Sequence, residues 1–293
     1  MSLRIEDNAT DLPCLASRAA ESHKGDFGRA LLVGGSRGMA GAVALAGLAT
    51  LRGGAGLVKL AVPRGIQETV ASFEPSYMTV ALAEDAAGRI AVQSTESLEP
   101  LLQEATAVTL GPGLGRSGDL TQLVAELYQN IGRPLVLDAD ALNALAEQRD
   151  VLPSPGGPRI FTPHVGEFVR LVGDESTKET PADASHQAAI KLARTCGIVL
   201  VLKGHRTLVT DGEKAYLGAT GNPGMATGGS GDVLTGVITA LLCQGLPPLH
   251  AARLGVHVHG TAGDMAVAEL GQVSMIASDL VRFLPGAFGR AES

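Results

Sequence analysis

The chain has 293 residues, of which 45% are hydrophobic, and its 23 basic and 30 acidic side chains give a formal net charge of −7. This acidic balance argues against a nucleic-acid-binding protein, which needs a concentrated basic face, and a charged fraction of only 18% argues against disorder. Because there is no Trp and 38 residues are Gly, the core has to be built from small aliphatic side chains. Such a composition is typical of buried parallel strands covered by helices.

The cysteines and the uncharged segments indicate in which compartment of the cell the protein is expected. Cys14, Cys196 and Cys243 are too few and too scattered for a disulfide framework or a CxxC metal site, which favours a reducing compartment. No signal peptide is visible, and the uncharged run Gly38–Leu51 is too short to span a bilayer. A second run, Val233–Ala252, is broken by polar and proline residues. We therefore expect a soluble cytoplasmic protein that binds neither nucleic acid nor membrane.

Short runs typical of strands alternate with helical segments along the chain. An Asp-Gly pair between two short apolar runs also predicts a β-hairpin. In chain order the predicted elements are strand Arg29–Val33, helix Ala40–Leu51, strand Leu57–Val62, strand Ala107–Leu110, helix Leu120–Gln129, strand Leu135–Leu137 with a helix starting near Asp140, strand Ile160–Phe161, helix Pro181–Thr195, strand Ile198–Leu202, hairpin strands Leu208–Thr210 and Lys214–Leu217, and helices Ser230–Leu242 and Ala251–Leu270.

This alternation predicts an α/β fold of three layers, with helices on both faces of a mainly parallel sheet and the hairpin as an antiparallel edge. No break divides the chain convincingly, because Pro153–Pro158 and Asp174–Ala182 each resemble only a loop. We therefore expect a single domain over residues 1–293, with a short N-terminal extension over residues 1–22. Ligands of such sheets bind outside the carboxyl ends of the strands, where the glycine-rich and polar motifs fall.

The glycine-rich segment Gly221–Asp232, which leads into a predicted helix, is the strongest sign of a ligand site. Glycines free backbone N–H groups to point at one place, and a helix start adds unpaired donors and the positive end of the dipole. The segment predicts a site for a phosphate-type anion; alternatively, Asp232 only complements the helix dipole. Gly111–Gly115 is a weaker signal, since a tight strand-to-helix turn explains its GxGxG spacing equally well.

The segment Asn222–Leu234 (NPGMATGGSGDVL) resembles the anion-hole and catalytic-aspartate motif of ribokinase-like kinases. It is more similar still to that of the ADP/ATP-dependent NAD(P)H-hydrate dehydratase family, and the similarity extends from about His23 to Leu284. The resemblance implies a ribokinase-like fold. The other segments that carry it are His23–Gly28, Val33–Ser36 with Met39–Ala42, Phe161–Glu167 and Leu202–Thr207.

The resemblance implies an enzyme that repairs NADH or NADPH damaged by hydration of the nicotinamide ring. Such enzymes phosphorylate the ring hydroxyl of the S-epimer with ADP or ATP and Mg²⁺, then release phosphate. Asp232 would be the general base, and the amides of Gly229, Ser230 and Gly231 would stabilise charge on the transferring phosphoryl group. Because Asp232 lies beside the positive end of a helix, we expect it to stay ionised at neutral pH.

Other site residues also follow from the resemblance. The AMP part of the nucleotide would be held by the turn after strand Ile198–Leu202 together with Gly231, although taken alone this turn is an ordinary polar one. The dinucleotide side would be lined by small residues that allow only backbone contact or close approach. The AMP-binding residues are Lys203, Gly204, His205, Arg206, Thr207 and Gly231, and those on the dinucleotide side are Ala42, Gly113 and Gly115.

His164 and Glu167 follow strand Ile160–Phe161 near a probable helix start. The resemblance puts His164 on the hydrated substrate and makes Glu167 the acidic residue that helps to hold Mg²⁺. The alternative is a capping box in which His164 takes the place of Ser or Thr, and we favour the functional interpretation because His is a poor cap.

Two further pairs are weaker candidates. Asp138 and Asp140 could hold Mg²⁺ or water, but we favour a role at a helix N-terminus. His257 and His259 do not share a helix face, so zinc ligation is not expected and we interpret both as surface residues.

Two alternatives to the dehydratase are a ribokinase-like kinase acting on a vitamin-precursor alcohol and a nucleotide-binding regulator without catalysis. The intact Asp232 motif argues against the regulator, and His164 favours the dehydratase over the kinase. By resemblance we favour ADP as the donor and expect a homotetramer. About 22 residues precede His23, too few for the epimerase domain that many members carry, so we expect the epimerase to be a separate chain.

Overall fold

The computed structural model describes residues 3–173 and 182–291, in which ten strands and ten α-helices alternate. The strands are β1 (Ile5–Asp7), β2 (Arg29–Val33), β3 (Leu57–Pro63), β4 (Met78–Leu82), β5 (Ala107–Leu110), β6 (Leu135–Leu137), β7 (Arg159–Phe161), β8 (Val199–Leu202), β9 (Leu208–Thr210) and β10 (Ala215–Leu217). The helices are α1 (Ala40–Arg52), α2 (Gln67–Phe73), α3 (Thr95–Glu104), α4 (Gly118–Asn130), α5 (Asp140–Glu147), α6 (Val165–Val172), α7 (Ala182–Cys196), α8 (Ser230–Cys243), α9 (Pro248–Leu270) and α10 (Ala277–Ala291).

All ten strands form one sheet, in the order β1-β10-β9-β8-β7-β6-β5-β2-β3-β4. Each neighbouring pair is parallel except the two pairs that involve β9, so β9 alone of these strands runs against the rest. The predicted mainly parallel sheet is confirmed. The predicted antiparallel hairpin at this side of the sheet is also confirmed, and β1, which the sequence analysis did not predict, pairs with β10 as one further strand beyond it.

Two hydrophobic cores lie on opposite faces of the sheet, because successive strand residues point to opposite sides. In β2, Ala30 and Leu32 belong to the core under α1, α8, α9 and α10, whereas Leu31 and Val33 belong to the core under α3 to α7. Most of these side chains are Ala, Val, Leu and Ile, as the composition predicted. The three-layer arrangement is therefore confirmed. None of the helices described here is both long and apolar enough to cross a bilayer.

The predicted elements are all present, with ends that differ by at most three residues. Pro181, the predicted first residue of α7, lies outside the described residues, as does most of the predicted loop Asp174–Ala182. The sequence analysis did not predict β1, β4, α2, α3 or α10. Both α3 and α10 contain a proline, Pro100 and Pro285, which in a sequence marks a helix end rather than a helix interior.

Helix α8 carries the predicted anion site and is held closely against α1. A Cβ atom built on Gly236 would lie 2.2 Å from the backbone oxygen of Ala46. Thr50 Oγ1 reinforces the contact by donating to the carbonyl of Ala46 at 2.7 Å or to that of Gly236 at 3.1 Å. The two backbones can approach this closely only because residue 236 has no side chain.

We expect Gly236→Ala to lower the free energy of unfolding by about 1–3 kcal/mol, because the added methyl group forces α1 and α8 apart. The matched control is Gly289→Ala in α10, where a Cβ atom meets nothing within 4 Å. That substitution should raise the free energy of unfolding by roughly 0.5–1 kcal/mol, because alanine favours the helix. Urea unfolding of both variants checks the pair, and equal effects would contradict the close packing.

Candidate active site

The loops after β2 and β5 meet where the chain order of the sheet reverses, which is where ligands of such sheets bind. Gly35 N donates to Pro112 O at 2.8 Å, and Ser36 Oγ donates to Gly113 O at 2.9 Å. A Cβ atom on Gly34 would lie 2.4 Å from the Pro112 oxygen. The glycines of both motifs therefore serve, at least in part, the close approach of two loops.

Three residues predicted for the dinucleotide side, Ala42, Gly113 and Gly115, flank this junction. A Cβ atom on Gly113 would lie 3.0 Å from the Cβ of Ala42, so these two residues are neighbours. Gly115 N donates to Asp140 Oδ2 at 2.8 Å, which also explains the position of Asp140 in the first turn of α5. The contact of this surface with a dinucleotide stays a prediction.

The glycine-rich segment before α8 is anchored by a residue that the sequence analysis missed. Asp264, on α9, accepts from Gly221 N at 2.9 Å and from Asn222 Nδ2 at 3.0 Å. Gly229 then leads into α8 with φ +92°, and a Cβ atom there would lie 2.7 Å from Leu45 Cδ1. The positive φ favours glycine at this position. The amides of Gly229, Ser230 and Gly231 therefore lie at the start of α8, where Ser230 N also donates to Thr227 O at 3.4 Å; anion binding by this segment stays a prediction.

Asp138 lies at the centre of a buried polar cluster behind this anion site. Asp138 is 1% exposed, and its carboxylate accepts three hydrogen bonds. One donor follows β7, one follows β8 and the third lies on α8. The donors are Thr162 Oγ1 at 2.8 Å, Lys203 Nζ at 2.9 Å and Thr235 Oγ1 at 2.9 Å. The preferred interpretation of Asp138 as a helix N-terminal residue is wrong, because Ala139, with φ +49°, takes the position before α5 instead.

Asp232 faces this cluster from the first turn of α8, and its surroundings raise its pKa from 3.8 to about 7. Burial is the largest cause, followed by the negative charge of Asp138, while the charge of Lys203 acts in the opposite direction. The expectation that Asp232 is fully ionised at neutral pH is therefore wrong. The helix dipole does favour the anion, but desolvation and neighbouring carboxylates outweigh it.

His164 and Glu167 form a capping box at the start of α6. This is the alternative to the functional interpretation that the sequence analysis favoured. His164 Nδ1 accepts from Gly166 N at 2.9 Å, and Glu167 Oε2 accepts from the backbone N of His164 at 2.8 Å. Glu167 is 5% exposed, and burial raises its pKa. The imidazole of His164 remains half exposed, with Nε2 3.3 Å from Glu167 Oε1, so capping leaves it accessible.

Five of the six residues predicted to hold AMP, Lys203 to Thr207, are consecutive and divide into two groups. Gly204, His205 and Arg206 are exposed and Thr207 is half-buried, so this turn forms part of the surface beyond β8. Lys203 differs, because its side chain points into the cluster and pairs with Asp138. The structure therefore brings Lys203, Glu167 and Asp232 together around Asp138.

Comparison with known protein families matches residues 30–286 to the NAD(P)H-hydrate dehydratase model. The chain belongs to the NAD(P)H-hydrate dehydratase family. A bifunctional NAD(P)H-hydrate repair enzyme of Moorella thermoacetica is 48% identical over 276 residues, which are 92% of this chain and 51% of that protein. The chain thus spans about half the length of the curated relatives that it matches.

Solved structures agree with the fold of the family. The ADP/ATP-dependent NAD(P)H-hydrate dehydratase of Bacillus subtilis, co-crystallised with ATP and Mg²⁺, superposes with a TM-score of 0.77 at 29% identity, covering 96% of this chain and 99% of that one. A ribokinase-like superfamily protein of Enterococcus faecalis superposes with a TM-score of 0.79 at 26% identity, covering 94% and 92%. The fold predicted from the resemblance is therefore confirmed as ribokinase-like.

His259 is a further residue of this dehydratase-family site that the sequence analysis misjudged. It is 8% exposed rather than on the surface, and its Nε2 lies 2.9 Å from the carbonyl oxygen of Ser230. Because a carbonyl only accepts, Nε2 carries the proton and donates. Burial lowers the pKa of His259 from 6.5 to about 4, so the ring is neutral near pH 7. His259 thereby fixes the backbone at the start of α8.

We expect Asp232→Asn to raise the free energy of unfolding at pH 8, by up to about 4 kcal/mol. The folded carboxyl ionises only near pH 7, so above that pH the fold bears the full energetic cost of the buried charge. Between about pH 4 and 7 the unfolded chain loses its proton first, so this cost grows as the pH rises, and below pH 4 it vanishes. Urea unfolding at pH 4 and pH 8 measures the difference.

The control for Asp232→Asn is Glu126→Gln, which neutralises an exposed carboxylate on α4. It should change the free energy of unfolding by less than about 0.5 kcal/mol at either pH. A gain for Asp232→Asn that is equal at both pH values would show that the substitution acts through packing, not charge.

We expect His259→Gln to weaken the loss of stability that the protein shows on acidification. Because the folded ring has a depressed pKa of about 4, the unfolded chain binds a proton first as the pH falls through 6.5. This proton binding lowers the free energy of unfolding by up to about 3 kcal/mol by pH 4. Glutamine does not titrate, so the variant does not lose this stability. Thermal unfolding from pH 7.5 to 4.5 tests this, with the exposed His250→Gln as the control that should follow the unmodified protein.

Proposed function

We propose that this member of the family restores NADH and NADPH from their hydrates, with ADP as the favoured phosphoryl donor and ATP as the alternative. The ring hydroxyl of the S-epimer attacks the terminal phosphorus of the nucleotide, and AMP leaves when ADP is the donor. The carbon–oxygen bond then breaks, and its electron pair leaves with phosphate. A neighbouring ring carbon gives up a proton, so the ring double bond returns.

The observation that carries this proposal is Asp232 in the first turn of α8, beside the backbone amides of Gly229–Gly231. Amides at a helix start stabilise the charge that develops on a transferring phosphoryl group. A carboxylate beside them can remove the proton of the attacking hydroxyl. Donor amides and base therefore act on the same reacting group.

The raised pKa of Asp232, about 7, suits the role of a general base. A base works best when its pKa lies near the operating pH, because it is then both deprotonated and basic. An ordinary aspartate, with a pKa near 3.9, is ionised but accepts a proton only weakly. The buried cluster around Asp138 makes Asp232 a stronger base than a solvated aspartate.

Mg²⁺ would be held mainly by the nucleotide phosphates, with Glu167 as the carboxylate on the protein side. Within residues 3–173 and 182–291, no three His, Cys, Asp or Glu side chains are grouped to form a metal site by themselves. This suits Mg²⁺, which keeps several waters and binds through one or two carboxylates plus substrate phosphates. When bound, the ion would neutralise charge on the phosphates.

We assign the remaining ligand contacts to the surfaces described above. The turn Gly204–Thr207 would hold the AMP part, while His164 and the junction of Ala42, Gly113 and Gly115 would face the hydrated dinucleotide. The half-exposed imidazole of His164 can reach a ligand while it caps α6. Assembly as a homotetramer, a cytoplasmic location and a partner epimerase stay predictions.

The test is to give the purified protein hydrated NADH and Mg²⁺ with ADP, with ATP or without nucleotide, and to follow the return of the reduced-nicotinamide absorbance. We expect recovery only with a nucleotide, faster with ADP. Its kcat/KM should rise with pH up to about 7, as Asp232 loses its proton. Asp232→Asn should lower kcat by at least about 100-fold, whereas Glu126→Gln should not.

Two results would contradict the proposal. Recovery that needs no nucleotide would exclude phosphoryl transfer, and near-normal turnover by a folded Asp232→Asn variant would exclude Asp232 as the base. Absence of recovery from protein that binds nucleotide would favour the alternative, a ribokinase-like kinase of a vitamin-precursor alcohol.

A further inference from the structure

Lys203 occupies a position that an AMP-binding residue does not need. Its backbone N donates to Pro163 O at 2.8 Å, and Lys203 forms a parallel bridge with His164 just past the ends of β7 and β8. Its side chain then turns away from the exposed turn Gly204–Arg206 and runs towards α8. Lys203 Nζ lies 2.9 Å from Asp138 Oδ1 and 3.0 Å from the point where a Cβ atom on Gly231 would lie.

Asp138 determines where this ammonium lies. Its carboxylate is buried and already accepts from Thr162 Oγ1 and from Thr235 Oγ1, so it is held by β7 and by α8 at once. Since Thr235 follows Asp232 by one helical turn, the same carboxylate ties Lys203 to the helix that carries the base. A flexible lysine is thereby fixed to one position.

The ammonium and the start of α8 together form a region of positive charge. Cations are normally favoured at the C-terminus of a helix, not the N-terminus, so Lys203 lies at an end that prefers anions. An anion placed against the Gly231 amide would satisfy the helix and the ammonium together. The absence of a side chain at Gly231 leaves the space for this contact.

We propose that the Lys203 ammonium binds the phosphoryl group that is transferred, rather than the AMP part of the nucleotide, and that Asp138 is its positioning residue. This assignment rests on the proposed function, because it takes a nucleoside diphosphate or triphosphate as the phosphoryl donor. It adds to that function the side chain that holds the transferred group. Lys203 supplies positive charge on one side of the phosphoryl group, and the α8 amides supply donors on the other.

The test compares Asp138→Asn with Asp138→Asn/Lys203→Met by calorimetric titration with AMP and with ADP, each with Mg²⁺. Asp138→Asn keeps an amide oxygen that can still accept from Lys203 Nζ, so the ammonium stays in place. Neither variant leaves an unpaired buried carboxylate, which would destabilise the fold, and the two therefore differ only in the ammonium. We expect both to bind AMP equally within about twofold. The double variant should bind ADP about tenfold more weakly than Asp138→Asn and turn over on the order of 100-fold more slowly.

Two outcomes would overturn the assignment. Equal weakening of AMP and ADP binding in the folded double variant would make Lys203 an AMP contact, and equal ADP binding by the two variants would make it purely structural. Failure of the proposed function is distinct, because the unmodified protein would then bind neither nucleotide or would bind both without restoring NADH. Thermal unfolding of both variants confirms that each is folded before titration.

Discussion

The ion pair between Asp138 and Lys203 is the interaction on which the site depends. A buried carboxylate is stable only when its charge is paired and its lone pairs are satisfied, and Asp138 meets this condition with Lys203, Thr162 and Thr235. These partners come from the ends of two strands and from α8. Satisfying one buried charge therefore fixes the three elements that surround the candidate site.

The acid–base properties of Asp232 follow from this arrangement. Asp138 and Glu167 oppose its ionisation and Lys203 favours it, while burial strengthens every one of these interactions. The folded protein is destabilised when Asp232 is ionised at this buried position. The same free-energy cost of ionisation raises the pKa of the group and makes it more basic. Stability and reactivity are thus set by the same charges.

Glycine acts at two levels in this protein. At Gly229 it permits the positive φ of the residue before α8, and at Gly236 it lets the backbones of α1 and α8 approach each other closely. The second role holds the first in place, because the direction of α8 depends on its contact with α1. The small-residue composition, with 38 glycines, reflects the packing as much as ligand binding.

The sequence by itself determined the alternation of strands and helices, the glycine-rich segment before α8 and the place of Asp232 in the first turn of that helix, because these depend on local patterns of apolar residues and glycine. It misjudged Asp138 and His259 and missed Asp264, whose partners lie far along the chain, such as Thr235 for Asp138 at a separation of 97 residues. Edge strand β1 was missed because its partner β10 lies far along the chain, with Ile5 opposite Ala215. Only the tertiary structure decided which charges meet, and so the pKa of Asp232, because electrostatic energy depends on distance and burial rather than on order in the sequence.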